Sequence, residues 1–319
     1  MVAGNPQSVG GLGVEVRPIR PGEEKAAGEV AYLATRGRRP TAGELASFLA
    51  HAADLGTDLA LQSVAVAEEC RIVGCAMLFP MIDRTATVTP PFCAPGYVRA
   101  EVQTGLLNAL KPMAAERGIQ MLQCFAGVDD ARAEDILTHS GFDFLATMLF
   151  LDRPVTEADR KCKLDNRIRW VAYSADRHEA FVRFVESSYE GTLDCSKLGE
   201  FRDVGLTIEG YRLRGEFDAS LWLLGEVDGG PAAISLIAWH PDEASYELVY
   251  VAVAPGFRGK GLGRKAMERG LSEVALRGVE TSITLVVDEA NVPAVDLYRA
   301  MGFHETQRRR AYFSLLARP

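Results

Sequence analysis

The stretch VAPGFRGKGLG, residues 253–263, decides how this sequence folds and what it can bind. It follows an apolar run and contains four glycines, with the basic side chains of Arg258 and Lys260 between them. Glycine loses more conformational entropy on folding than any other residue, so a dense glycine cluster indicates backbone that adopts positive φ or closely approaches a ligand. Backbone N–H groups in such a turn, followed by a helix N-terminus, bind anions. The stretch therefore predicts a phosphate-binding loop, here called the glycine loop (residues 256–263).

The sequence on both sides of the glycine loop indicates an α/β unit. Apolar residues recur with a period of two before the loop and with a helical period after it. An amphipathic helix over residues 262–276 would bury Ala266, Met267, Gly270, Leu271 and Val274, and Gly278 would end it. The other predicted elements are a hairpin over 221–239 with its turn at 228–230, a strand over 246–253, a strand over 279–287, a helix from near Asn291 to before Gly302, and extended structure over 304–316.

The two halves of the chain contain a repeat. APGY at residues 94–97 aligns with APGF at residues 254–257, and farther along GF at 141–142 aligns with GF at 302–303. Each half also opens with an extended stretch followed by an amphipathic helix. A polar run at residues 152–165 separates the halves, which predicts domains over residues 1–154 and 155–319.

The first copy lacks the glycines and the tyrosine that predict a functional site in the second copy. In the alignment of the halves, Gly261 and Gly263 correspond to Glu101 and Gln103, and Tyr298 corresponds to Leu137. A carboxylate at Glu101 would repel a phosphate. We therefore expect a degenerate first copy that supports the second copy structurally.

Composition and charge narrow the classes of function. The chain has 319 residues, 35 Lys and Arg, 43 Asp and Glu, and a formal net charge of −8. Nucleic-acid binding draws much of its affinity from neutralised phosphates, so this balance argues against a nucleic-acid partner. The cysteines form no C-x-x-C pair and have no histidine at ligand spacing, which argues against a metal site. The N-terminus lacks a signal-peptide pattern and no apolar run is long enough to span a membrane, so we expect a cytoplasmic protein with no membrane partner.

Three phosphate-binding motifs compete for the glycine loop. A P-loop requires lysine where this sequence has Leu262. The Rossmann pattern G-x-G-x-x-A is satisfied by Gly261, Gly263 and Ala266, but residues 254–260 separate it from the strand that it should follow directly. The pattern R-x-x-G-x-G is satisfied from Arg258 to Gly263, between a strand and a helix.

With this third motif the sequence resembles the GNAT superfamily of N-acetyltransferases. The resemblance is carried by VAPGFRGKGLG, then VVDEAN, then DLYRAMGF, all in register. It implies two tandem GNAT domains, each a mixed, mostly antiparallel sheet flanked by helices. It also implies acetyl-CoA as co-substrate, with no metal.

The resemblance implies roles for individual residues. Glu247, on the strand before the glycine loop, would be the general base, and Tyr298 would protonate the leaving thiolate. Asn291 would cap the last helix and touch CoA, while the backbones of Val251 and Val253 would pair with pantetheine amides. The implied cofactor-binding residues are Val251, Val253, Arg258, Gly259, Lys260, Gly261, Leu262, Gly263, Arg264 and Asn291.

The acceptor is less defined by the sequence. We expect the acceptor to be a primary amine, that of a small molecule, which attacks acetyl-CoA directly in a ternary complex. The tandem arrangement resembles that of mycothiol synthases, while residues 297–313 resemble protein N-terminal acetyltransferases, and a non-catalytic acyl-CoA sensor or scaffold is a third alternative. The loop at residues 189–201 would line the acceptor groove, where Asp194 could meet an ammonium or cap a helix. Tandem copies can mimic a dimer, which is compatible with a monomer.

Overall fold

The computed structural model describes residues 7–9, 13–54, 58, 60–67, 70–161, 165–198 and 204–316. The chain divides into two compact units, Met1–Leu145 together with Arg310–Pro319, and Ala146–Arg309. This division falls within two strands, whereas the sequence predicts a boundary after residue 154. Cys162 and the end of the loop predicted at residues 189–201 lie outside the described residues.

The first unit is a sheet with helices on both faces. Its elements are β1 (Gln7–Val9), β2 (Val14–Pro18), α1 (Glu24–Arg36), α2 (Ala42–Asp54), β3 (Gln62–Val66), β4 (Ile72–Pro80), β5 (Thr85–Val88), β6 (Phe92–Cys93), α3 (Ala100–Ala115), β7 (Met121–Gly127) and α4 (Ala131–His139); β8 (Asp143–Pro154) leads into the second unit. The strand order is β1-β2-β3-β4-β5-β7, with β6 paired to β4. Neighbouring strands are antiparallel except β5 and β7. One apolar cluster includes α3 and α4, and another includes α1 and α2.

The second unit has the same plan. Its further elements are β9 (Arg169–Ala172), α5 (His178–Ser188), α6 (Val204–Arg212), β10 (Trp222–Val227), β11 (Gly230–His240), β12 (Ser245–Val253), α7 (Leu262–Arg277), β13 (Ser282–Asp288), α8 (Val292–Ala300) and β14 (His304–Leu315). Its strand order is β8-β13-β12-β11-β10-β9, and only β12 and β13 run parallel. Helices α7 and α8 belong to one apolar cluster and α5 and α6 to the other.

Both units therefore repeat one order of elements: strand, two helices, three strands, helix, strand, helix, strand. The first unit adds only β1 and β6 to this order. The predicted duplication and the predicted mixed, mostly antiparallel sheet flanked by helices are confirmed.

Helix α7 follows the glycine loop as predicted and lies closely against β11. It buries the face that includes Ala266, Met267 and Leu271. A Cβ at Gly270 would lie 2.7 Å from the Ser235 Oγ, so glycine permits this close packing. Gly278 ends the helix, but with an extended φ of 167° instead of a left-handed one. No helix in the described part of the chain is long and apolar enough to cross a membrane.

Candidate active site

The sheet of the second unit opens between its two parallel strands. β12 and β13 pair only from Ser245–Ser282 to Glu247–Thr284, although both strands continue well beyond those residues. A β-bulge lies just past this point, because the partners of β11 shift from Leu248 to Tyr250 and leave Val249 unpaired. A bulge bends its strand and increases the local twist, which carries β12 away from β13. A cavity of about 630 Å³ is lined by both separated segments.

The backbone of the glycine loop presents free N–H groups beside this cavity. Gly259 and Gly261 have φ of +74° and +80°, in the left-handed region that favours glycine. The N–H groups of residues 259–264 have no hydrogen-bond acceptor among the described residues, and the last three belong to the first turn of α7. A Cβ at Gly263 would lie 3.4 Å from the Leu297 Cδ2, an ordinary van der Waals distance, so α7 packs against α8 here. Consecutive amides and a helix N-terminus form a site for a phosphate.

The cations in the glycine loop and at the start of α7 have different surroundings. The Lys260 Nζ donates to the Gly256 carbonyl at 2.8 Å and does not line the cavity. Arg264 is exposed and lines the cavity. Arg258 also lines the cavity, but its side chain is bound to backbone: Nη1 donates to the Glu190 carbonyl at 2.7 Å, and Nη2 to the Ser188 carbonyl at 2.8 Å. Arg258 therefore fixes the start of the loop between α5 and α6, here called the α5–α6 loop (residues 189–203).

The other described end of the α5–α6 loop is held by the last residue of β13. The backbone N–H of Asp288 donates to Asp194 Oδ1 at 3.2 Å. In return, the buried carboxylate of Asp288 accepts from the Cys195 N–H at 3.1 Å. Between these anchors the loop lines the cavity with Tyr189, Gly191, Thr192, Leu193 and Asp194.

Strand β12 presents an unpaired edge to the cavity. The Ala254 N–H donates to the Ala232 carbonyl of the neighbouring chain segment. Because hydrogen-bonding residues alternate along an antiparallel ladder, the backbone groups of Val251 and Val253 point to the opposite edge, where β13 has separated. The Val253 carbonyl also accepts from the Arg258 Nε at 3.3 Å. An extended amide ligand could therefore pair with this edge as an added strand.

Tyr298 extends from α8 to the wall of the cavity. It is 6% exposed, and burial raises the pKa of its hydroxyl, with the nearby charge of Asp194 adding to the shift. No hydrogen bond of this hydroxyl is found among the described residues. At neutral pH it is therefore a protonated donor directed at the cavity.

Glu247 is the last residue of β12 that pairs with β13, but it does not line the cavity. Its carboxylate accepts from the Arg214 Nη1 at 3.0 Å and lies 2.9 Å from the His240 Nε2. The side chain is 17% exposed, so water reaches it. The sequence predicted Glu247 but neither of these partners, because residues 214, 240 and 247 come together only through the packing of β11, β12 and the segment that follows α6.

Asn291 stands at the predicted N-cap of α8, but its side chain forms no capping hydrogen bond. It lines the cavity instead, while the helix begins with Pro293 in its first turn. Asn291 is therefore the N-cap residue, as predicted, but the prediction that its side chain caps the helix is wrong. Tyr250, which the sequence did not single out, also lines the cavity, and its hydroxyl lies 2.7 Å from the Ser188 Oγ.

Most residues predicted for this site share the one cavity. Those that line it are Val251, Val253, Arg258, Gly259, Gly261, Gly263, Arg264, Asn291 and Tyr298. Glu247, Lys260 and Leu262 are adjacent to lining residues in the chain.

The matching region of the first unit is filled by its own side chains. All of β5, from Thr85 to Val88, pairs with β7, so the two parallel strands do not separate along it. Gln103, aligned with Gly263, is buried and accepts from Arg132, and the same guanidinium donates to the Val98 carbonyl at 2.6 Å. Leu137, aligned with Tyr298, lies in the apolar core.

Comparisons with known proteins agree with this geometry. Residues 193–303 match the acetyltransferase (GNAT) family. Over 241 residues the chain is 28% identical to a mycothiol acetyltransferase of Thermomonospora curvata, covering 74% of this chain and 76% of the relative. It is 38% identical over 102 residues to a mycothiol acetyltransferase of Beutenbergia cavernae, spanning 31% of this chain and 34% of that protein. A [ribosomal protein bS18]-alanine N-acetyltransferase of Salmonella typhimurium is 38% identical over 86 residues, 27% of this chain and 56% of that protein.

Solved structures share the fold along nearly the whole chain. A GCN5-related N-acetyltransferase from Sphaerobacter thermophilus aligns with a TM-score of 0.64 and 17% identity, covering 95% of this chain and 96% of its own. A tandem GNAT protein from the clavulanic acid biosynthesis pathway aligns with a TM-score of 0.57 and 14% identity, covering 95% and 99%. The predicted tandem GNAT fold is confirmed.

Proposed function

We propose that the chain transfers an acetyl group from acetyl-CoA to the primary amine of a small molecule, in keeping with the match of residues 193–303 to the acetyltransferase (GNAT) family. The observation that supports this most is that the glycine loop, the free edge of β12 and Tyr298 all line the same cavity. A CoA thioester needs N–H donors for its pyrophosphate and a strand edge for its pantetheine amides. Its departing thiolate needs an acid.

The chain's own residues fit acetyl-CoA, which would supply the activated acetyl group. The N–H groups of residues 259–264 would bind the pyrophosphate, with Arg264 adding positive charge at the rim. Val251 and Val253 would hold the pantetheine amides as an added strand, and Asn291 would donate from the opposite wall. With the amides held along β12, Tyr298 would line the same cavity as the thioester.

The acceptor amine has to lose a proton before it attacks. A lysine-like amine has a pKa near 10.4, so deprotonation at pH 7 costs about 4 to 5 kcal/mol. Glu247 would accept this proton through a water, since its side chain is 17% exposed but does not itself line the cavity. His240, at 2.9 Å, would then pass the proton to solvent.

The departing thiolate has to be protonated to prevent reversal. A thiol has a pKa near 8.5 and a tyrosine near 10, so transfer from tyrosine is uphill by about 2 kcal/mol before local effects. Tyr298 would supply this proton from the wall of the cavity, although the burial that raises the pKa of its hydroxyl makes the transfer more uphill. Each of these groups acts directly between acetyl-CoA and amine, which favours attack in a ternary complex without an acetyl-enzyme.

The test is release of free thiol from acetyl-CoA in the presence of a panel of primary amines. The panel contains amino sugars, polyamines and, because of the similarity to ribosomal-protein alanine acetyltransferases, peptides with a free N-terminal alanine. We expect amine-dependent thiol release with a small amine. Release with peptides alone would instead favour a protein N-terminal acetyltransferase, and binding of acetyl-CoA without release for any amine would favour the non-catalytic sensor.

A further inference from the structure

An arginine lies beside the carboxylate that would act as the general base. The Arg214 Nη1 donates to the Glu247 Oε1 at 3.0 Å, while the other oxygen of Glu247 lies 2.9 Å from the His240 Nε2. The Arg214 side chain is 46% exposed, and no other hydrogen bond of its guanidinium is found in the part of the chain that the structure describes. Because a guanidinium has five N–H donors, Arg214 has donors left for a ligand that reaches Glu247.

The backbone next to Arg214 is fixed against the end of β11. The Glu216 N–H donates to the Trp239 carbonyl at 2.6 Å, and the Trp239 N–H donates to the Glu216 carbonyl at 3.2 Å. Gly215 has a left-handed φ of +56°, and a Cβ there would collide with the same Trp239 carbonyl oxygen, so glycine permits this close approach. Trp239 immediately precedes His240. One strand end therefore holds both partners of the proposed base.

Proton transfer to Glu247 would leave the charge of Arg214 without a counter-charge. Before the transfer, the Glu247 carboxylate compensates the guanidinium at 3.0 Å. Once Glu247 has taken the proton of the acceptor amine it is neutral, whereas an arginine stays charged. An anionic group on the acceptor would replace the lost charge. A carboxylate carries the single negative charge that is lost, and its two oxygens match the planar guanidinium.

We propose that Arg214 binds a carboxylate of the acceptor, and that the acceptor is therefore an amino acid or a closely related amino carboxylate. This inference rests on the proposed function, and it names the acceptor class for the same site. Because Arg214 contacts Glu247 directly, the carboxylate of the acceptor has to lie within a few bonds of the amine that Glu247 deprotonates.

Amino acids and their amides form matched pairs of acceptors that test this inference. The amide keeps the amine and the side chain but replaces the carboxylate with a neutral carboxamide. Thiol release from acetyl-CoA would give kcat/KM for both members of each pair, over the common amino acids, with the wild type and Arg214→Gln. Arg167→Gln is the control, since the Arg167 guanidinium donates to the Asp165 carboxylate at the surface and does not line the cavity. Comparing the acid-to-amide ratio between variants cancels the difference in amine basicity within each pair.

We expect the acid-to-amide ratio to be about tenfold higher in the wild type and in Arg167→Gln than in Arg214→Gln, as hydrogen bonds to charged groups allow, with the change in the KM for the acid. Arg214→Lys, which keeps the charge, should recover part of this ratio. An unchanged ratio in Arg214→Gln, even with both rates lowered, would mean that Arg214 only holds Glu247 and would overturn the inference. So would acetylation of other amines but of no amino acid. Absence of thiol release with every amine would instead remove the proposed function, and this inference with it.

Discussion

Tyr298 combines deep burial with a hydroxyl directed at the cavity. Its hydroxyl has no hydrogen bond among the described residues, which suits an acid that meets its partner only during turnover. We predict that Tyr298→Phe lowers kcat by about a hundredfold, the lower range for general acid catalysis, with little change in KM for acetyl-CoA. Steady-state kinetics with an amine from the panel would measure this.

Tyr250→Phe is the matched control for that variant. Tyr250 lines the same cavity, but its hydroxyl is paired with the Ser188 Oγ. Its kcat should stay within a few-fold of the wild type. Equal kcat for Tyr298→Phe and the wild type would remove the acid role from Tyr298.

The raised pKa of Tyr298 makes a separate prediction about pH. Burial disfavours the phenolate, so the protonated acid persists above the ordinary tyrosine pKa of about 10. Between pH 7 and pH 9, the kcat of the wild type and that of Tyr298→Phe should therefore depend on pH in the same way. A wild-type decline in this range that disappears in the variant would mean that Tyr298 titrates there.

Among the elements, the junction between the glycine loop and α7 is where we propose that the pyrophosphate of acetyl-CoA binds. Gly261 is the N-cap of α7 and has a left-handed φ, and a Cβ added there would meet no other described atom within 4 Å. We predict that Gly261→Glu abolishes acetyl-CoA binding measured by calorimetry, because it places a carboxylate among the N–H groups that would bind the pyrophosphate.

Two further variants separate charge from backbone strain. Gly256→Glu adds the same charge to the same loop, at an exposed glycine without positive φ that does not line the cavity. It should bind acetyl-CoA within a few-fold of the wild type. Gly261→Ala, which carries only the left-handed strain of about 1 to 2 kcal/mol, should weaken binding without abolishing it. If Gly256→Glu is as damaging as Gly261→Glu, the effect is not specific to the proposed phosphate site.

Arg258 links the glycine loop to the α5–α6 loop. Its bonds to the carbonyls of Ser188, Glu190 and Gly191 would be lost in Arg258→Ala. We predict faster hydrogen exchange over residues 189–198 and a higher KM for the amine, with acetyl-CoA affinity less affected. Lys260→Ala is the control, because the Lys260 side chain bonds within the glycine loop, to Gly256. A large loss of acetyl-CoA affinity with unchanged exchange would show that Arg258 serves the phosphates instead.

The sequence predicts these elements better than it predicts their contacts. Glycine spacing and apolar periodicity are local signals, so β12, the glycine loop and α7 could be placed from the sequence. The bulge at Val249 could not, because the strand pattern continues through it without interruption. The partners of Arg258 and Glu247 lie on other elements, and only the folded sheet brings them together.

At the scale of the molecule, the two units share a plan but differ at the site. The second unit separates β12 from β13 and leaves a run of amides free, whereas in the first unit all of β5 pairs with β7, and Arg132 bonds Gln103 in the matching region. Duplication therefore supplies two similar folds, of which one retains the features that a CoA ligand requires.

The most direct test of this account is calorimetric titration of the whole chain with acetyl-CoA, measuring stoichiometry as well as affinity. We predict one site per chain, lost in Gly261→Glu and retained in Gly256→Glu. Two sites per chain would contradict the assignment of the first unit as degenerate, and absence of binding would contradict the assignment of the cavity between β12 and β13 as a CoA site.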